Sequence, residues 1–230
     1  MTGLGALDFY TTSLDPRATR NPKATSSDTL AAVRIVIVGA GSQGAIVADI
    51  LRERAVGFVD DLVPGATVLG LPVLGTIASL PEHPHDAIVV AIGDNRARRT
   101  LTESLVAQGE RLATVIHPFT SIAPSAMIGE GCMISAGALV LPRATIGRGV
   151  LLNTKSSVDH DTVIGDFAHV SAGATVGGRA VIGEETLIAL GATVISGVRV
   201  GARTVIGAGA TVVRDIADDV VAFGVPARVR

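Results

Sequence analysis

The sequence predicts an α/β domain of half-Rossmann size followed by a parallel β-helix of hexapeptide repeats. Three observations carry this. Steps of six from Ile116 to Val212 meet an aliphatic residue at all 17 positions, where an ordinary chain supplies Val, Ile or Leu at roughly one position in four or five. The stretch "VRIVIVGAGSQG" (33–44) reads as a buried strand, a glycine-rich turn and a helix start. Finally, 48% of the residues are hydrophobic but only 3% aromatic, with no Trp. Such a core is built from Val, Ile, Leu and Ala and suits narrow, regular packing.

Residues 1–32 are polar and turn-rich and read as an extension, with Phe9 and Tyr10 as its anchors. Residues 33–114 form the α/β unit. Gly39, Gly41 and Gly44 follow the first strand, and a helix from about residue 43 would offer its N-terminus to phosphate. "VGFVDD" is a second strand ending in Asp60 and Asp61, the position where an acid meets a ribose hydroxyl. "DAIVVAIGDN" is a third strand that ends at Gly93. A helix over 96–108 follows, and "RLATVIHP" leads out of the domain. At about 80 residues the unit lacks a second mononucleotide half, which argues against a full dinucleotide site.

A period of six fits neither a helical stripe nor simple strand alternation. It fits a solenoid over 115–214, with the aliphatic residue pointing inward on each short strand. The fourth residue after each aliphatic one is also restricted, as at Thr120, Ala126, Cys132, Ala138 and Ala144. Glycines such as Gly129, Gly147, Gly165 and Gly183 open the corners. Residues 215–230 are a C-terminal tail.

The formal charge of −2 gives no reason to expect nucleic acid as a partner. No apolar run approaches the ~18 residues of a membrane span. The single Cys132 allows no internal disulfide, and "MTGLGALDFYTTSLDP" lacks the pattern of a secretory leader, so the cytoplasm is expected.

Polar residues break the solenoid pattern in "LLNTKSSVDHDTVIGDFAHVSAGATVGG" (151–178): Asn153, His160 between Asp159 and Asp161, and His169. A neutral imidazole accepts a proton near pH 7, and a neighbouring carboxylate orients it. Asp161 and Asp159 are both candidates for that neighbour. The three positions fall in consecutive hexapeptides and so on different faces, which predicts a site shared between subunits. His83 and His85, in "PEHPHD", read as a turn. No spacing supports a metal site.

Residues 33–230 resemble the sialic acid O-acetyltransferase-like and bacillosamine-pathway sugar acetyltransferases, which are hexapeptide-repeat acyltransferases. "VGAGSQG", "GFVDD", "AIGDN", the 151–178 stretch and the C-terminal "AFGVPARV" carry the resemblance. It implies a left-handed β-helix with three hexapeptides per coil, hence between five and six coils here, and a homotrimer with sites between subunits. It implies acetyl transfer from acetyl-CoA to the 4-amino group of a GDP- or UDP-linked 4-amino-4,6-dideoxyhexose, with no metal. By the same resemblance His160 is the catalytic base and Asp161 its acid partner. Gly41, Ser42, Gln43, Asp60, Asp61, Gly93 and Asn153 contact the nucleotide sugar, and His169, Gly178, Leu190 and Ala208 contact acetyl-CoA. Asp161 stands where a related pattern has Glu, and Gln43 where the family commonly has His. Arg179, Arg199, Arg203 and Arg214 are available for the phosphates of CoA. Transfer to a sialic acid-type hydroxyl and a non-catalytic assembly role are the alternatives; the break at "DHD" and His169 speaks against the second.

Overall fold

The computed structural model describes residues 33–230; the extension over 1–32 lies outside them. The first domain holds β1 (Ile35–Val38), α1 (Ser42–Leu51), β2 (Ala55–Val59), β3 (Thr67–Val68), β4 (Leu71–Gly75), β5 (Ala87–Val90) and α2 (Asn95–Ala107). The sheet order is β3-β4-β2-β1-β5. β1 pairs parallel with both β2 and β5. It is buried on both faces, as a continuous Ile-Val-Ile-Val run requires. One face of the sheet packs Ile35 and Ile37 on Val47, Ala48 and Leu51 of α1, and this cluster runs on into Met133 and Leu151 of the next domain. The other face packs Val36, Val38, Ile88 and Val90 against Leu105 of α2. The carboxyl ends of β1 and β5 therefore face a crevice at the point where the chain order reverses.

From Val115 to Val212 the chain forms short strands of two residues each, which with the two strands of the tail make three sheets of eight, six and five strands. Partners are 18 residues apart, as in Leu152↔Val170 and Val140↔Val158, so one coil is three hexapeptides. The six-stranded sheet receives one strand from each coil, which gives six coils, the upper end of the sequence expectation. The interior is a column of Ile134, Leu152, Val170, Ile188 and Ile206, its counterparts on the other faces, and the small corner residues Ala138, Ala174 and Ala192. The tail closes this left-handed β-helix. Val221–Phe223 pairs parallel with Val205–Ile206, and Arg228–Val229 folds back antiparallel.

His85, in the turn before β5, is mostly buried. Its Nδ1 lies 2.6 Å from the His83 carbonyl and its Nε2 lies 2.8 Å from Glu110. Both ring nitrogens meet acceptors, an arrangement that favours the doubly protonated ring. Burial works against that charge; the bonds to Glu110 and His83, with the charges of Glu110 and Asp86, outweigh it and raise the pKa above 6.5. A raised value in the folded state means stability present in full below pH 6.5 and lost as pH rises through the raised value. We therefore expect the melting temperature to fall as pH rises above 6.5 through the raised value, and Glu110→Gln to remove most of that slope in thermal unfolding curves.

Candidate functional site

The nucleotide-side residues gather at the crevice. Gly41 caps α1 with extended backbone, and a Cβ there would meet nothing within 4 Å, so its surface is open to a ligand. Gly44 is the close-packed glycine: a Cβ would collide with the Gly39 carbonyl. Gln43 Nε2 donates to Met133 Sδ at 3.7 Å, turning that side chain toward the β-helix. Asp60 ties the loops together, accepting from Ala40 N at 2.7 Å and from Leu62 N at 2.8 Å. Asp61 accepts from Ile77 N at 2.8 Å. Both acids stand at the carboxyl end of β2, but their carboxylates are already engaged in holding backbone. Gly93 follows β5, and a Cβ added to it would likewise meet no atom within 4 Å.

His160 sits on the edge where the six-stranded face turns into the five-stranded one. Its Nδ1 lies 2.7 Å from Asp161 Oδ2, whereas Asp159 accepts from the His160 backbone N–H at 2.7 Å. The two neighbouring acids thus divide the work, and Asp161 is the ring's partner. Asp161 occupies the left-handed region at φ 58, stacked between Arg143 at φ 62 and Arg179 at φ 59. This corner conformation swings its side chain along the edge. Arg143 grips it with Nε to Oδ1 at 2.6 Å and Nη2 to Oδ2 at 2.9 Å. First the Arg143 hydrogen bonds and then that of His160 hold the Asp161 carboxyl well below the usual carboxylate range. An ionised carboxylate only accepts, so Nδ1 is the nitrogen that donates to it, and Nε2 is turned away from Asp161. Gly178 lies one coil above. A Cβ there would come within 2.8 Å of Nε2, so only glycine leaves that nitrogen accessible.

His169 lies elsewhere. It pairs with Leu151 in the eight-stranded sheet, and Leu187 and Val205 continue its row. His169, Leu187 and Val205, together with Gly93, Asp94, Asn95 and Arg99, line a groove of about 810 Å³ between α2 and the β-helix. Burial, and next the Arg98 charge, lower the His169 pKa to about 4, so the ring is neutral at physiological pH. Asn153 Oδ1 accepts from Thr154 N at 2.7 Å at the following corner. Leu190, which is 61% exposed, and Ala208, also exposed, continue that edge at coil spacing.

The sequence expectation put Asn153, His160 and His169 on three different faces, and this needs correction. Leu152 stacks beneath Val170, so Asn153 and His169 flank one face on successive coils. His169 ends the third hexapeptide of its coil and has already returned to the starting face. His160 stands on another edge, so a single chain leaves it apart from the groove. Arg203 also changes standing: Asp219 binds it at 2.6 and 2.7 Å, with Glu184 alongside, so it is not a free phosphate partner. Arg143 was missed in the sequence. Its signal was its position 18 residues before Asp161, one coil below.

A β-helix of hexapeptide coils behind a half-size nucleotide fold, with a carboxylate-oriented histidine on its edge, defines a hexapeptide-repeat acyltransferase. Residues 34–105 match the PglD N-terminal domain family. A point mutant of perosamine N-acetyltransferase from Caulobacter crescentus, solved in complex with CoA and GDP-perosamine, superposes with TM-score 0.83 at 37% identity, covering 86% of this chain and 96% of that one. The acetyltransferase domain of PglB from Neisseria gonorrhoeae, solved in complex with acetyl coenzyme A, gives TM-score 0.82 at 37% identity, covering 86% of this chain and 98% of that one. GDP-perosamine N-acetyltransferase of Escherichia coli O157:H7 is 33% identical over 109 residues, 43% of this chain. The match spans about half that relative's length (49%). The chain belongs to the family of perosamine N-acetyltransferases and related sugar acetyltransferases.

Proposed function

We propose that the chain transfers acetyl from acetyl-CoA to the 4-amino group of a nucleotide-linked 4-amino-4,6-dideoxyhexose, with GDP-perosamine the foremost substrate. The observation that carries this reading is the Asp161–His160 pair with its free Nε2. An ammonium group is not a nucleophile. His160 Nε2 takes a proton from the amine as its nitrogen attacks the thioester carbonyl. The C–N bond forms, the C–S bond breaks, and the proton passes from His160 to the departing sulfur. Asp161, kept ionised by Arg143, stabilises the imidazolium between these events.

In this reading 33–114 binds the nucleotide sugar through Gly41, Ser42, Gln43, the Asp60–Asp61 corner and Gly93, with Asn153 near the acceptor amine. The β-helix over 115–214 supports acetyl-CoA through His169, Gly178 and the exposed Leu190–Ala208 edge. Arg179, Arg199 and Arg214 have no carboxylate within ion-pair distance among the described residues, which leaves them for phosphates. Because His160 is remote from the groove, the site is completed by a neighbouring subunit of a homotrimer. The outer strip of the five-stranded face supports that assembly, with Met127 at 62% and Val163 at 41% exposure awaiting apolar cover. No helix among the described residues is long and apolar enough to cross a membrane, and the proposed setting is the cytoplasm, where nucleotide sugars and acetyl-CoA meet.

The test is CoA-thiol release with GDP- and UDP-linked 4-amino sugars and their 4-hydroxy counterparts. Release with an amino sugar and none with its hydroxy counterpart is expected. Release with the hydroxy sugars alone would replace this reading with O-acetylation.

A further inference from the structure

Arg98 is the largest fully buried side chain of the described residues, 1% exposed, and no carboxylate pairs with it. Its five N–H groups are all engaged by oxygen atoms. Nε donates to Gly149 O at 2.9 Å; Nη1 donates to Ile92 O at 2.9 Å and Gly93 O at 3.2 Å; Nη2 donates to Asn95 Oδ1 at 2.9 Å and Phe167 O at 2.7 Å. Desolvation is the dominant influence on the group and lowers its pKa to about 10, so it remains a cation at neutral pH.

The acceptors have an order. Gly149 and Phe167 are stacked corner residues of successive coils, both with positive φ. The next corner up is Glu185, and its carbonyl accepts from Asn95 Nδ2 at 2.9 Å. The first turn of α2 therefore reads three consecutive rungs of one β-helix edge. The same guanidinium holds Ile92 O and Gly93 O, where β5 opens into the nucleotide crevice. His169 is two residues beyond Phe167. A helix that merely rested on the β-helix would need apolar contact only; here a charge is buried to fix register.

We propose that Arg98 is a positioning residue that locks the nucleotide crevice at Gly93 to the strand carrying His169, so that the two substrates meet in reacting register. Its charge also contributes to the lowered pKa of His169, second to burial. The proposal rests on the reading of Gly93 as a nucleotide contact and His169 as an acetyl-CoA contact.

The test uses Arg98→Ala in the full-length protein, with ethylguanidinium added to refill the deleted group. Lost register costs rate more than binding. The expected result is a kcat lowered about 10²-fold, smaller changes in KM for either substrate, and recovery of kcat by ethylguanidinium but not by ethylammonium. Unchanged kcat, or ethylguanidinium restoring the melting temperature without kcat, would overturn the proposal. Should Arg98→Ala fail to fold, Arg98→Lys decides. A lysine cannot span the five acceptors, so hydrogen exchange at Gly93 and His169 should rise together while kcat falls; a folded Lys variant with full kcat contradicts the proposal. Calorimetry of the unaltered protein with CoA and with GDP tests the functional reading separately. If neither binds, that reading fails, and the exchange experiment alone decides the lock: a coupled rise sustains it and no rise refutes it.

Discussion

His160→Ala is expected to lower kcat/KM for acetyl transfer by about 10²–10⁴-fold, the contribution of a positioned general base. The ring's Nδ1 is committed to Asp161 at 2.7 Å, and Gly178 leaves Nε2 open, so in the proposed reaction Nε2 is the atom placed to take the amine proton. The fold should survive, because the side chain is an outward corner residue and the interior columns at Val158 and Ile164 are untouched. Steady-state thiol release, with circular dichroism to check folding, measures both. A second arm probes where the base acts. Gly41→Trp should fill the phosphate loop without disturbing packing, since nothing lies within 4 Å of a Cβ at that position. Each variant alone should be strongly impaired; co-expressed, the two should recover activity in mixed oligomers, because one chain would supply an intact crevice and another an intact base. Full activity of His160→Ala would remove the base assignment, and failure of the mixture to recover would place crevice and base in one chain.

Val176→Asp should abolish soluble folded protein, whereas Thr175→Asp, one residue earlier, should be tolerated. Val176 is fully buried in the interior column between Val158 and Val194, with aliphatic and small neighbours on every side. An unpaired carboxylate there has no donor and no water, at a cost of several kcal/mol against a total stability of about 5–15 kcal/mol. Thr175 is exposed on the same short strand. Soluble yield and far-ultraviolet circular dichroism of the pair give the answer. Comparable yields would mean that the strand's inward and outward assignment is reversed.

The interior was legible because its physics is periodic. Every sixth residue must be aliphatic to fill the coil, and the small corner positions follow from the same geometry. The crevice was legible because glycines are demanded where a helix start meets a strand, as the contact of Gly44 with Gly39 shows. What the sequence hid lay in stacking between coils and domains. Arg143 meets Asp161 only through matched left-handed corners one coil apart. The return of His169 to the face of Asn153 depends on where in its hexapeptide it sits. Asp60 stands at the position expected for a ribose contact, and the sequence did not show that it also holds Ala40 and Leu62, because short loops around a glycine turn need their amides satisfied. Arg98 was invisible, since its carbonyl partners on the β-helix are 51 and 69 residues away and carry no side-chain signature.

In the proposed function the two domains divide the work. The half-size nucleotide fold would hold the sugar nucleotide, and the β-helix edge would present His160 as the base. The first turn of α2 ties the two domains together through Asn95 and Arg98. In the proposed assembly the crevice of one chain would meet the edge of another.

The most direct measurement is the identity of the product formed from acetyl-CoA and GDP-perosamine, determined by mass spectrometry and proton NMR. The account predicts one added acetyl group per sugar nucleotide, joined as an amide at C4, with equimolar CoA released. Unchanged GDP-perosamine, or an acetyl ester on a sugar hydroxyl, would contradict it.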